Sequence, residues 1–256
     1  MRYDDLELLV RSCLDTFYER RLQKLTDLNL KDVLKRKNPY LFRATGAQKA
    51  SEIVERLLQA HMSSSEESIF GDSFFEPIVR TAARGRMSEG EGLDVVIETS
   101  DSYTVISVKS GPNWGNSGQK RDLQTNFNRA RNVFATRHVN MVFRALLGQC
   151  YGNTSSEPKD NRTYSTRSGQ AFWEELTGDP NFYLDLVRAM GDHPIVQREA
   201  YDQAWNKAVN RFEREFLVDF SFEDGNINWE RLVQFNSGKK PTQPAKTADD
   251  AKPKKK

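Results

Sequence analysis

The chain has 256 residues, 37% of them apolar and 29% charged, and 38 Lys plus Arg against 36 Asp plus Glu give a formal charge of +2. No run of 18 or more apolar residues occurs, which argues against a membrane-spanning helix, and the opening Met1-Arg2-Tyr3-Asp4-Asp5 carries acids where a secretory leader needs an apolar stretch. Two distant cysteines, Cys13 and Cys150, fit neither a disulfide framework nor a zinc site of CxxC spacing, so a reduced, cytoplasmic protein with both thiols packed inside is expected.

In chain order, residues 4–25 carry Leu6, Leu9, Cys13, Leu14, Phe17 and Leu22 at helical spacing. Residues 28–45 read as a basic connector. A second helix over 46–61 has Ile53, Val54, Leu57 and Leu58 as its stripe. Ser63-Ser64-Ser65 is expected to break it, with Ser64 and Glu67 forming a capping box for a third helix that carries Ile69, Phe70, Phe74, Ile78 and Val79. The period then shortens to two. Residues 93–99 and 103–109 read as a strand hairpin turning at Ser100-Asp101-Ser102. A Gly-rich loop, a helix over 119–135, a third strand over 139–147 and helices at 168–177, 181–190 and 195–220 follow. This order predicts an α/β layer structure with a small mixed sheet. From Asn236 onward seven lysines and three prolines stand among small polar residues, which predicts a disordered tail over 236–256 and leaves a weakly acidic body.

The hairpin carries the chemistry. Side chains alternate along a strand, so Ser107 and Lys109 share a face, and pairing across the turn sets Asp94 opposite Ser107 or Lys109 on that face. An acid and a lysine meeting beside a Gly-rich loop suit phosphodiester hydrolysis. The carboxylate holds a divalent metal and the lysine stabilises charge on the phosphate. The pair would serve equally as a structural ion pair at a sheet edge, and spacing alone does not separate the two. In the loop, Asn113, Trp114 and Asn116 are candidate DNA contacts, as are Gln119 and Arg121 on the next helix. The alternatives are a turn packed by Trp114 and a solvated charged face. His61, His138 and His193 are isolated, which argues against a histidine–metal nuclease.

Gly92-Leu93-Asp94, followed after an interval by Ser107-Val108-Lys109, resembles a degenerate PD-(D/E)xK nuclease signature. The strings Lys37–Ala44, Ser63–Asp72, Ile106–Ser117 and Cys150–Gly152 resemble the PmeII-type family of type II restriction endonucleases over roughly residues 28–220. The resemblance implies a restriction-endonuclease-like αβββαβ core with helices added at both ends. A catalytic domain would span 28–235, with the first 27 residues a separate helix. It also implies Mg²⁺-dependent cleavage of double-stranded DNA at a specific site, leaving 5′-phosphate and 3′-hydroxyl ends. A homodimer and a DNA methyltransferase of the same system would be its partners. A nuclease without a fixed site and an inactive DNA-binding protein are the alternatives.

One position departs from the signature. Where a second metal-binding acid usually stands there is Ser107, and a neutral hydroxyl is a poor Mg²⁺ ligand. Another acid must then approach the metal. Glu76, on the helix before the hairpin, ranks first and Asp122 second, with Glu67 a further candidate. The expected catalytic set is therefore Asp94, Lys109, Glu76 and Ser107.

Overall fold

The computed structural model describes residues 1–84, 86–87, 90, 92–137, 141–160 and 162–239. The chain divides into two compact units, one of Met1–Asp27 with Ala60–Ala208 and one of Leu28–Gln59 with the chain from Val209.

The larger unit is built on a five-stranded sheet in the order β1 (Arg86–Met87), β2 (Val95–Glu98), β3 (Ser102–Lys109), β4 (Val142–Gln149) and β5 (Ser165–Ser168). The first three strands are antiparallel, and β4 and β5 are each parallel to the strand before. A parallel pair needs a crossover, and the long helix α6 (Ser117–Arg137) supplies it between β3 and β4. Helix, three strands, helix and strand is the αβββαβ order that the sequence resemblance implies. β1 and β5 are too short to carry a periodic signal, and the sequence pattern predicts neither.

Both sheet faces are covered. Val95, Ile106, Val108 and Leu146 pack in one cluster with residues of α1 (Tyr3–Asp27), α5 (Glu76–Ala82), α7 (Gln170–Thr177) and α8 (Phe182–Met190). Val96, Val105, Ala145 and Leu147 face Leu123 and Phe127 of α6. Each such large apolar side chain, fully buried, contributes roughly 1.5–3 kcal/mol. Cys13 and Cys150 are buried free thiols, as expected.

The expected break at Ser63–Ser65 is absent. The helix α4 runs through it from Ala50 to Phe70, and Ser64 with Glu67 forms no capping box. Three serines cost only tenths of a kcal/mol each in a helix, and buried Met62 and Ile69 on either side hold the segment in place. After Phe70 the helix widens into a π-helical turn, Gly71–Phe75, before α5 begins at Glu76. Phe74 stacks on Phe70 at 4.5 Å, which anchors the wide turn in the core. Glu66, on the same helix, accepts from Arg21 of α1 at 2.6 Å and from the Tyr201 hydroxyl at 3.1 Å, and the Arg21 guanidinium lies 3.3 Å over the Tyr201 ring.

In the smaller unit, the expected basic connector over 28–45 forms two short helices, α2 (Leu30–Leu34) and α3 (Pro39–Ala44). Asn29 and Asn38 accept hydrogen bonds from the free amides of each first turn, and Pro39 opens α3 where its missing N–H costs nothing. The helix α9 (His193–Phe220) brings Phe212, Phe216 and Phe220 into this unit's buried set. The last helix, α10 (Trp229–Ser237), continues past Asn236, where the tail was expected to begin. The Asn236 amide donates to the carbonyls of Leu34 and Lys37 at 3.0 and 2.9 Å, closing the end of α2. The rest of the expected tail, 240–256, lies outside the described residues.

A chain ending at Phe235 is therefore expected to melt several degrees below one ending at Lys239. It leaves two carbonyls without their donor, at about 1–3 kcal/mol for the pair. Equal melting temperatures in a thermal melt would show that Asn236 closes nothing.

Candidate active site

Asp94 stands one residue before β2. Its backbone N–H donates at 2.9 Å to the carbonyl of Ile106, the residue already paired with Val95, so the regular ladder ends there and the Asp94 side chain comes to lie beside Ser107 and Val108. The carboxylate is then in reach of three groups. Its Oδ2 accepts from the Val108 N–H at 2.6 Å and from the Ser107 hydroxyl at 3.2 Å, and the Lys109 Nζ stands 4.0 Å away. Ser107 is fully buried and its hydroxyl also lies 3.3 Å from the Gly92 carbonyl. It bonds Asp94 and does not line the open space in front of it.

That space is a cleft of about 620 Å³. One wall is the helix stripe Ser64, Glu67, Ser68, Asp72 and Glu76; the other is Asp94, Lys109 and the loop after β3, including Asn113 and Trp114, with Tyr151 beyond β4. In an α-helix, residues four apart drift around the axis by about 40° per step. The wide π turn slows that drift, so the four-residue ladder from Ser64 to Glu76 stays on the cleft side. The Tyr151 ring closes over Gly111. A Cβ on it would lie 2.1 Å from the Tyr151 ring.

Glu76 has a raised pKa, first because burial disfavours its charge and then because Asp94 repels it. Asp94 is also raised, by burial first. Lys109, the Val108 amide and Ser107 pull it the other way, and Asp72 adds repulsion. Lys109 also lies 5.6 Å over the Trp114 ring, a cation–π contact that fixes its ammonium at the cleft.

Of the expected residues, Asp94, Lys109, Glu76, Glu67, Asn113 and Trp114 meet in this one cleft. Asn116 and Gln119 do not line it. Each accepts the other's backbone N–H at 3.0 Å, a reciprocal cap that starts α6. Arg121 and Asp122 are exposed in the first turns of α6, off the cleft lining. His193 pairs with Asp15 at 2.6 Å and is likewise off the lining, and His138 lies outside the described residues. Asp72, Ser64, Ser68 and Tyr151 join the cleft without a signal in the motifs. Asp72 stands four residues before Glu76, a spacing that places both on one helix face, and it pairs with Arg20 at 3.3 Å.

The donor set suits a hard divalent cation. Two partly buried carboxylates whose charges repel are relieved by a positive charge between them, and Mg²⁺ commonly takes one or two carboxylates plus waters. Among the described residues no group of three His, Cys, Asp or Glu is arranged to hold a metal ion, so the protein would supply two carboxylates and water the remainder.

A raised carboxyl pKa in the folded state means that its ionised form costs stability, a cost that is complete above the folded pKa and vanishes below the unfolded one. Glu76→Gln is expected to raise the melting temperature by a few degrees at pH 8. The gain should fade as pH falls through the raised pKa and be gone below 4.5, the ordinary value for Glu. Asp94→Asn should lower the Glu76 pKa in an NMR titration. An unchanged titration would mean that the two carboxylates do not share a field.

No curated protein matches the chain. A family model, described as type II restriction endonuclease EcoO109I, matches residues 4–196. The match supports a restriction endonuclease but not the PmeII-type family that the motifs resemble, and it takes in α1, which that resemblance left out. It spans the whole sheet and every group lining the cleft, and the chain belongs to the type II restriction endonuclease EcoO109I family.

Proposed function

We propose that the protein is a Mg²⁺-dependent endonuclease that cuts double-stranded DNA at a specific site, with Asp94, Glu76 and Lys109 as its catalytic residues. The observation that carries this reading is the meeting of two repelling carboxylates and one lysine in a single cleft of a restriction endonuclease chain. Asp94 and Glu76 would hold the cation, which supplies polarisation of a phosphoryl oxygen and a more acidic bound water. Lys109, held by Asp94 and Trp114, stabilises negative charge as it builds on the phosphate. Ser107 and the Val108 amide fix the Asp94 carboxylate against rotation. Asn113 and Trp114, which line the same cleft, would contact the DNA there.

Each chain has one such cleft, whereas duplex cleavage needs two strands cut. A homodimer whose two-fold axis matches that of a palindromic site meets this requirement. A cytoplasmic enzyme of this kind requires a methyltransferase that protects the host's own sites. One observation favours a second reading, DNA binding without cleavage: the buried Ser107 replaces the usual second acid.

Digestion of plasmid DNA with Mg²⁺ and with EDTA separates the readings. Discrete bands only with Mg²⁺ are expected; a smear would mean a nuclease without a fixed site, and intact DNA a binder. Asp94→Ala, Glu76→Gln and Lys109→Ala should each lower the cleavage rate by at least about 10²-fold while DNA binding persists. Ser107→Ala should cost less, about 10–100-fold, because it loosens a ligand without removing one. Wild-type turnover in Asp94→Ala or Lys109→Ala, with folding verified, would end the assignment.

A further inference from the structure

The cleft has an electrostatic difficulty. Its described lining holds four carboxylates, Glu67, Asp72, Glu76 and Asp94, against one cation, Lys109. A polyanion brought to such a surface is repelled unless positive charge flanks the point of entry. The nearest candidate is a second depression of about 490 Å³ between α1 and α4. Ser64 and Ser68 line both it and the cleft, so the two adjoin along the same stretch of α4.

This groove has a different chemistry. Arg20, Gln23 and Lys24 of α1 face Ser64, Ser65 and Ser68 of α4. Its one acid, Asp27, is engaged on both oxygens by the Gln23 amide at 2.8 Å. Arg20 reaches from the groove toward the cleft, donating to the Ser73 hydroxyl at 2.8 Å and pairing with Asp72 at 3.3 Å. Lys24 is exposed in the last turn of α1. Cations and hydroxyls together, with no apolar floor except Ile69, form a surface for phosphate oxygens and not for bases. The Arg21–Glu66 pair ties α1 to α4 beside the groove.

We infer that the α1–α4 groove binds the DNA backbone next to the scissile phosphate, with Lys24 and Arg20 as its cations and the α4 serines as neutral donors. The inference rests on the nuclease reading and adds to it the track by which the strand enters an acid-lined cleft. α1 is thereby a DNA-binding element.

The test is binding of a duplex carrying the cleavage site, in EDTA to prevent cutting, followed by fluorescence anisotropy between about 50 and 200 mM salt. Lys24→Gln is the clean arm, because Arg20 also touches a cleft carboxylate; a thermal melt checks its fold. Removing one lysine from a phosphate should flatten the slope of log K against log salt by about 0.9. The change should be the same on specific and non-specific duplexes. A methylphosphonate that removes one backbone charge near the cut should weaken wild-type binding but leave Lys24→Gln unaffected at that position. An unchanged slope in Lys24→Gln, with every methylphosphonate acting equally on both proteins, would overturn the groove while leaving the nuclease reading intact. Wild-type protein that does not bind duplex DNA would overturn both.

Discussion

The Asp94 carboxylate is tied to the neighbouring strand by the Val108 amide at 2.6 Å, and most of the site follows from that bond. It exists because β2 and β3 pair with Val95 opposite Ile106, which brings Asp94 beside Ser107 and within reach of the next amide along. Lys109 follows two residues later on the same face, and its ammonium falls beside the carboxylate. A slip of one residue in that pairing would turn one strand over, moving Val95 to the face of Val96 and taking the Asp94 side chain from beside Ser107 and Lys109. The strand pairing that folds the hairpin thus also brings Asp94 and Lys109 together, and the pair needs no separate device to align it.

The same arrangement works against stability. Burial raises the pKa of both Asp94 and Glu76, so at neutral pH the fold keeps charges that it would hold more comfortably as acids. Proteins retain such unfavourable groups where chemistry requires them, and the cost is met by apolar burial elsewhere. Here that burial lies directly behind the site. Phe74, Ile78 and Val79, on either side of Glu76 in the chain, are in the same cluster as Val95, Ile106 and Val108 of the strands that position Asp94 and Lys109.

The hairpin and the long helices are legible in the sequence because period-two and period-3.6 patterns are strong over such lengths. Asp94, Lys109 and Glu76 are legible because each sits at a fixed step from a patterned element. The path between α4 and α5 is not. Three serines read as a stop, but buried neighbours outweigh so small a propensity, and nothing in a single sequence marks a π turn. Asp72 is hidden for that reason, since its place on the cleft depends on helical phase. Asn116 and Gln119 look like DNA contacts, whereas their three-residue spacing is that of a cap. α2 and α3 are obscured by their brevity, although Asn29, Asn38 and Pro39 signal both starts.

The π turn also constrains how the gene can vary. A straight helix tolerates few single-residue insertions or deletions, since each rotates everything beyond it by about 100°. Gly71–Phe75 absorbs the equivalent of one residue between the serine ladder and Glu76. Removal of one residue from those five would restore a regular helix and leave Glu76 in phase with the strands, whereas the same loss within α4 would rotate Glu76 away from Asp94. This short segment is therefore where the helix can differ by one residue between related chains and still present Glu76 on the same side, whereas a gap of one residue in α4 would mark a change at the cleft.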